Sequence, residues 1–478
     1  MAVSTSFVPA GLVLALVLLA VGTGERHLLW QPLSVLGLVV VSRASRTPWL
    51  PGRAVRAVDE PELARLVRDV AERLGFRAPL LVRVVPVPDA ALVPTRIAGT
   101  RAFALLLGWP LLRRLTAAQL AAVVAHELSH QRHLADRRES WLRAVRGSLV
   151  DSLDRPVRVP RGFAGWLLRL SQPCSWDAEL AADAVAAEVA GTAAAREALV
   201  RTGSATAAFD QLGQRWIALL DEHGDYPEDL YAALDVALED PYVARRIAEA
   251  IVEEERLDAY HAASHPPLGV RVAALPDRAG GSWDGARPVP LRAADALESW
   301  CVRELVGAEL VGAELVGVDV AGADVPGADV PGVRSRPVRV QDLAPERLDL
   351  PPERARDALT GATGRRSLAE AMATAVDAIA DGSWPRLARA IDPEIGTAPR
   401  RLRTAAGSLT MVNCVGSALS GSLLHAGWAR ASRWTASVLN DPDGRVVDLR
   451  VLVERAINGG DPAALRSLLA AAGFGAAP

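Results

Sequence analysis

Residues 116–133 read Thr116-Ala-Ala-Gln119-Leu-Ala-Ala-Val-Val-Ala-His126-Glu127-Leu128-Ser129-His130-Gln-Arg-His133. Ala117 to Val124 is an apolar run of strong helix formers and reads as buried. Thr116 and Gln119 form a capping box at its start. Within this helix, His126-Glu127-Leu128-Ser129-His130 is an H-E-x-x-H pattern. Side chains four apart on a helix lie one above the other, so both imidazoles reach one metal ion. Glu127 points close by, placed to take a proton from a water on that metal. A buried helix that carries two histidines and an acid needs compensation, because unpaired buried polar groups cost several kcal/mol. A metal supplies it. The pattern fixes only three positions, however, and a helix with two partly exposed histidines and a surface glutamate satisfies it equally well.

Two later stretches shift the balance. The first is Trp176-Asp177-Ala178-Glu179-Leu180-Ala181-Ala182-Asp183, in an alanine-rich helix that runs to about Gly191. Catalytic zinc usually takes three protein ligands and keeps a fourth position for water, so Glu179 is the candidate third ligand. Asp183, one turn on, can accept the spare ring N–H of a zinc-bound histidine. Two surface acids on an amphipathic helix are the plainer reading. The second stretch is Ser264-His265-Pro266-Pro267-Leu268-Gly269-Val270-Arg271. The prolines place His265 on a rigid loop ahead of a helix, with Arg271 about one turn into it. A loop histidine and a nearby arginine suit stabilisation of an oxyanion.

Together, in this order, the three stretches resemble the HtpX-like family of membrane-anchored zinc metallopeptidases, related to the CAAX prenyl proteases. That family carries H-E-x-x-H, then E-x-x-x-D, then H-P-P-x-x-x-R. The resemblance covers roughly residues 57–278, with a membrane segment before them. It implies a gluzincin-like domain, His126, His130 and Glu179 as ligands of one Zn2+, and Glu127 as general base. It also implies supporting roles for Asp183, His265 and Arg271, and a protein or peptide substrate. Two departures stand out: Ser129 replaces the family's usual glycine, and Thr100-Arg101-Ala102-Phe103-Ala104 stands where the preceding strand usually reads Asn-Ala-Phe-Ala.

The 478 residues suggest two or three domains. A net charge of −3 gives no reason to expect nucleic acid as a partner. All 53 basic residues are arginine, which reads as compositional bias. Cys174, Cys301 and Cys414 are far apart and odd in number, which fits a reducing compartment rather than a disulfide framework.

Phe7 to Gly22 and Leu28 to Val41 are apolar runs separated by Gly24-Glu25-Arg26-His27. Arg43, Arg46, Arg53 and Arg56 follow, and by the positive-inside rule they belong in the cytoplasm. The expectation is a membrane-embedded helical hairpin, with one span or a cleaved signal as alternatives, and a cytoplasmic catalytic domain at the cell membrane. Asp59 to Leu74 reads as an amphipathic helix, Leu80 to Val87 as a strand, and Ile97 to Leu107 as a second strand. A strand just before the zinc helix is expected to pair with an extended substrate by edge addition. His133 reads as a neighbour of the site rather than a ligand, and a second metal site at His261 and His265 is disfavoured by Pro266. Residues 155–170 read as a partly buried helix or one lying on a membrane surface.

The period-five repeat from Leu305 to Asp329 reads as a low-complexity spacer within a linker over residues 279–347. Beyond it, Ser367 caps a helix ending near Gly382, Asn440 to Gly444 marks a hairpin turn, and Pro462 opens a last helix. The predicted architecture is therefore mostly α with a small β-sheet (α+β). It comprises an anchor over 1–56, the metallopeptidase domain over 57–278, the linker, and a separate α+β region over 348–478 whose function is not readable. The expected activity is a membrane-anchored zinc endopeptidase, acting on membrane or misfolded proteins. A catalytically silent scaffold that binds partners through the C-terminal region is the alternative.

Overall fold

The computed structural model describes residues 50–474, apart from 98, 132–145, 148, 151–160, 258–262, 264, 313–335, 350–351, 397–401 and 460–461. The two apolar N-terminal runs, His133, His261 and residues 313–329 of the five-residue repeat lie outside the described residues. Among the described residues no helix is long and apolar enough to cross a membrane.

The chain begins with β1 (Arg53–Val55), α1 (Pro61–Arg73) and β2 (Leu80–Val85). A hairpin of β3 (Ala90–Ile97) and β4 (Thr100–Gly108) follows. The sheet order is β1-β2-β4-β3, with β2 and β4 parallel and the other pairs antiparallel. The strand expected over Ile97–Leu107 is β4, and an unexpected β3 precedes it, the two turning at Gly99, whose φ of +81° favours glycine. Pro94 hid the first of them, because proline weakens a strand signal yet is tolerated on an edge. The edge expected at this strand is not there: β4 is central and paired on both sides, and β1 and β3 are the edge strands of the sheet.

Along β4 the side chains alternate with period two. Phe103, Leu105 and Leu107 enter the main core beneath the helices, while Ala104 and Leu106 pack with Val85 on the other face. After α2 (Trp109–Arg114) comes α3 (Ala117–Ser129), the H-E-x-x-H helix, then the 30-residue α4 (Arg161–Ala190) and α5 (Thr192–Ala208). Alanines at 121, 125, 182, 186 and 187 are buried in this region. Such small side chains let α3 and α4 pack closely. Leu168 on the first turns of α4 is fully buried, whereas Trp166 and Leu170 are exposed. α6 (Gln214–Asp221), β5 (Asp225–Pro227), α7 (Leu230–Glu239) and α8 (Pro241–Leu257) lead to α9 (Leu268–Ala274).

The stretch read as a linker is built into the peptidase core at both described ends. The first two free amides of α3, Ala117 N and Ala118 N, donate to Arg287 O (2.8 Å) and Asp284 O (2.9 Å). Gly191, at φ +93°, lets the α4–α5 corner approach Gly280, whose Cα would stand 2.5 Å from an added Cβ. Helix α10 (Ala294–Gly312) follows, with Cys301 and Val302 in the core. Its first turn is held by buried Glu60, which accepts from Arg292 N and Ala293 N, each at 2.7 Å. Strand β6 (Arg336–Val338) then pairs with β5. Glycine- and proline-rich composition marked this stretch as a linker, but backbone hydrogen bonds to helix ends leave no composition signal.

The C-terminal region has its own core around α14 (Arg403–His425), which buries Met411, Val415, Leu419 and Leu423. α11 (Pro352–Thr363), α12 (Leu368–Ala380) and α13 (Trp384–Ile391) surround it. A three-stranded sheet of β7 (Ala429–Ser432), β8 (Thr435–Asn440) and β9 (Val446–Asp448) turns at Asp441–Gly444, and α15 (Leu449–Ile457) and α16 (Ala463–Leu469) complete it. Ser367 accepts from Glu370 N as its capping pattern implies. This region is fastened to the peptidase domain. Trp434 packs on Trp216 at 5.3 Å between ring centroids, and Arg433 donates to Gln341 O (2.7 Å) and Leu343 O (2.8 Å). Arg245 pairs with Asp448 at 2.8 Å, and Arg450 with Glu253 at 3.1 Å. Trp434→Ala is expected to remove about 3–5 kcal/mol by opening a cavity between the two regions. Calorimetry would read a midpoint lower by several degrees; an unshifted midpoint would show that Trp434 contributes little to holding them together.

Candidate active site

Helix α3 is positioned by its N-terminus. Thr116 Oγ1 accepts from Gln119 N at 3.3 Å and Gln119 Oε1 accepts from Thr116 N at 3.0 Å, the reciprocal capping box. Gln119 Nε2 also donates to Glu197 on α5 at 2.7 Å. Two turns later His126 and His130 project from the same face, their rings crossing at 89°. Glu179 reaches the pair from α4.

Donor atoms of three residues converge. His126 Nε2 lies 3.3 Å from His130 Nε2 and 3.3 Å from Glu179 Oε2, and His130 Nε2 lies 3.5 Å from Glu179 Oε1. Nitrogen and carboxylate ligands about 2.0–2.2 Å from a tetrahedral zinc stand about 3.3–3.5 Å from one another. These separations, two of them to different oxygens of Glu179, match those between ligands of one tetrahedral zinc. All three residues are buried, and among the described residues they form the group able to hold a metal. Residue types, burial and spacing fit zinc. Glu127 stands beside this set, with Oε1 3.9 Å from His126 Nε2.

Around the donors lies a ring of partners. Asp183 Oδ1 sits 2.9 Å from His126 Nδ1, on the side of the ring away from the other donors. Arg271 then grips Asp183 with both arms, Nε to Oδ2 at 2.8 Å and Nη2 to Oδ1 at 2.7 Å. Here the structure differs from the oxyanion role expected for Arg271. Its guanidinium fork is taken up by Asp183, because a bidentate Arg–carboxylate pair is the strongest contact available to it. His265 donates to Glu179 Oε2 at 2.7 Å while its side chain is 55% exposed. It holds a donor residue on one edge and faces solvent on the rest.

These contacts set the charges. Burial pulls the His126 imidazole down, but the Asp183 and Glu179 carboxylates outweigh it and raise it to about 10. Burial pushes Glu127 up to about 7, against the pull of His126. Glu179 resists burial because His126 and His265 hold its carboxyl well below the usual range. Asp183 is likewise held low by Arg271 and His126 despite burial.

Residues 58–279 match the family model described as Peptidase family M48. This part of the chain belongs to peptidase family M48. Members of that family are zinc metallopeptidases, so metallopeptidase activity is indicated for the domain and a peptide or protein is its kind of substrate. No curated protein and no solved structure matched the chain.

The M48 site includes two residues that sequence reasoning did not single out. Arg146 is buried and donates to Leu168 O on α4 (2.7 Å) and to Ala263 O (2.7 Å), two residues before His265. It ties the glutamate helix to the histidine loop; an isolated arginine among 53 basic residues gives no sign of this. Asp89 follows β2, and its carboxylate adds to the burial that raises the Glu127 carboxyl. Asp183→Asn tests the outer ring. It keeps the shape but weakens the hold on His126 and leaves the Arg271 charge uncompensated, so zinc affinity or turnover is expected to fall about 10–100-fold. Competition titration with a zinc chelator measures this, and wild-type affinity with wild-type turnover would remove Asp183 from the account.

Proposed function

We propose that the chain is a zinc-dependent endopeptidase, held at a cell membrane by residues before position 57, with its catalytic domain on the cytoplasmic side. The observation that carries the peptidase reading is the His126–His130–Glu179 triangle with Glu127 beside it and outside it. Membrane attachment rests on the two apolar runs and the arginines that follow them. A glutamate as third ligand is what the gluzincin-like assignment requires. A scaffold that had lost its activity would have little reason to keep three ligands, the base and their partners together.

His126, His130 and Glu179 would hold the zinc. Bound there, zinc supplies Lewis acidity towards the scissile carbonyl and brings the pKa of water near neutral. Glu127 takes the proton of the attacking water and later delivers it to the leaving amine. In the metal-free site burial raises its carboxyl above the usual range, the direction that favours a base which must also hold a proton and pass it on. Asp183, anchored by Arg271, fixes the His126 ring. His265 steadies Glu179 and presents its exposed ring towards the developing oxyanion. The edge of β3 aligns an extended substrate backbone.

Incubation of the zinc-loaded protein with an unfolded protein substrate tests this directly. Internal fragments, lost on chelation and restored by zinc, are the expected result. Release of terminal residues alone would reject the endopeptidase reading, and no cleavage by loaded protein would reject the peptidase reading.

A further inference from the structure

The C-terminal region grips α8 of the M48 domain through charged side chains. Arg245, Glu249 and Glu253 recur every four residues and so share one face of that helix. Arg245 Nη2 donates to Asp448 Oδ2 at 2.8 Å, and Arg450 Nη2 donates to Glu253 Oε2 at 3.1 Å. Both partners are fixed within the C-terminal region. Asp448 Oδ1 caps α15 by accepting from Arg450 N (3.2 Å) and Val451 N (3.3 Å), and the buried Arg450 also pairs with Glu454 at 2.9 Å.

Another face of α8 looks inward. Val243 and Ile247 are buried in the M48 core, and Ile251, four residues on, packs against it. Ile251 shares its seat with α9. A Cβ built on Gly203 of α5 would stand 3.9 Å from Ile251 Cδ1 and 3.8 Å from Leu268 Cδ2, so the two side chains flank the same point on α5. Close-packed interiors of this kind transmit displacement from one element to the next. Leu268 is the first residue of α9, and Arg271 lies one turn on. That arginine makes the two-armed bond to Asp183, which in turn lies 2.9 Å from His126 Nδ1.

We propose that the C-terminal region positions the metal site: its grip on α8 seats α9, and with it the Arg271 clamp on Asp183 and His126. The inference rests on the zinc reading above and gives the C-terminal region its part in it. The element with two positions is α8, gripped or released. Release loosens α9, then the Arg271–Asp183 pair, then the orientation of the His126 ring.

The test uses the full chain in detergent with both gripped charges on α8 reversed, Arg245→Glu with Glu253→Arg. Expected is a zinc affinity about three- to tenfold below wild type in chelator competition, with kcat/KM falling alongside. The charge-conserving pair Arg245→Lys with Glu253→Asp keeps wild-type affinity. Added to Asp183→Asn, the reversal lowers affinity no further, because the clamp through which it acts is already broken. A merely structural loss would add to the Asp183→Asn effect, or would lower the unfolding midpoint and leave affinity alone. Hydrogen exchange on the metal-free chains gives a reading that needs neither zinc nor turnover: the amides of α9 exchange faster in the reversed variant, and those of α3 do not. Faster exchange in a chain that takes up no zinc would sink the zinc reading and sustain the coupling. If the reversed variant does not fold, Arg450→Gln breaks the Glu253 pair from the other side and is expected to show the same changes at smaller size. Unchanged α9 exchange, zinc bound as tightly as by wild type, or a reversal that adds in full to Asp183→Asn would overturn the proposal.

Discussion

Glu127→Gln is expected to lower kcat by about 10²- to 10⁴-fold while the chain keeps its zinc. The exchange preserves size and the capacity to hydrogen-bond, but an amide cannot accept the proton of the attacking water. Glu127 Oε1 lies 3.9 Å from His126 Nε2, near the donor triangle and not part of it, so metal content should not change. KM should change little, because the carboxylate acts on the reacting atoms rather than on the bound backbone. Steady-state kinetics beside metal analysis checks both halves of the claim. Turnover within tenfold of wild type would remove Glu127 as the base.

The second large effect is expected from His130→Ala. Loss of an outer partner costs about 10–100-fold in affinity, and loss of a ligand costs more. The variant should therefore lose zinc during chelator dialysis that wild type survives, and lose turnover with it. Zinc uptake by the wild type also carries a proton signature. Without metal the His126 imidazole is raised to about 10, because Asp183 and Glu179 outweigh burial. A cation must displace that proton, so binding releases it and affinity rises as pH rises below about 10, by on the order of tenfold per pH unit. Zinc titrations at two pH values give the slope. Affinity independent of pH would mean that His126 is already neutral in the metal-free chain.

Much of the site was legible because helices translate spacing into geometry. The step of four from His126 to His130, and again from Glu179 to Asp183, puts each pair on one helical face whatever the rest of the chain does. The capping box at Thr116, the helices after Ser367 and Pro462, and the turn at Gly444 are local and were equally readable. Contacts between distant segments were not. Nothing local in Arg271 says that its fork closes on Asp183, or that Arg146 bridges α4 and the His265 loop. The edge strand was missed because Pro94 looks like an interruption, although an edge tolerates it. The docking of residues 284–287 onto the first turn of α3 uses backbone carbonyls, which any sequence can provide.

The central claim is that His126, His130 and Glu179 hold one zinc ion on which peptide hydrolysis depends. Metal content per chain, measured by mass spectrometry on the purified full-length protein beside its Glu179→Ala variant, tests it most directly. About one zinc per chain in the wild type, lost or strongly reduced in the folded variant, is the expected result. Correctly folded wild-type protein that takes up no zinc, or a Glu179→Ala variant that binds it as tightly, would contradict the account.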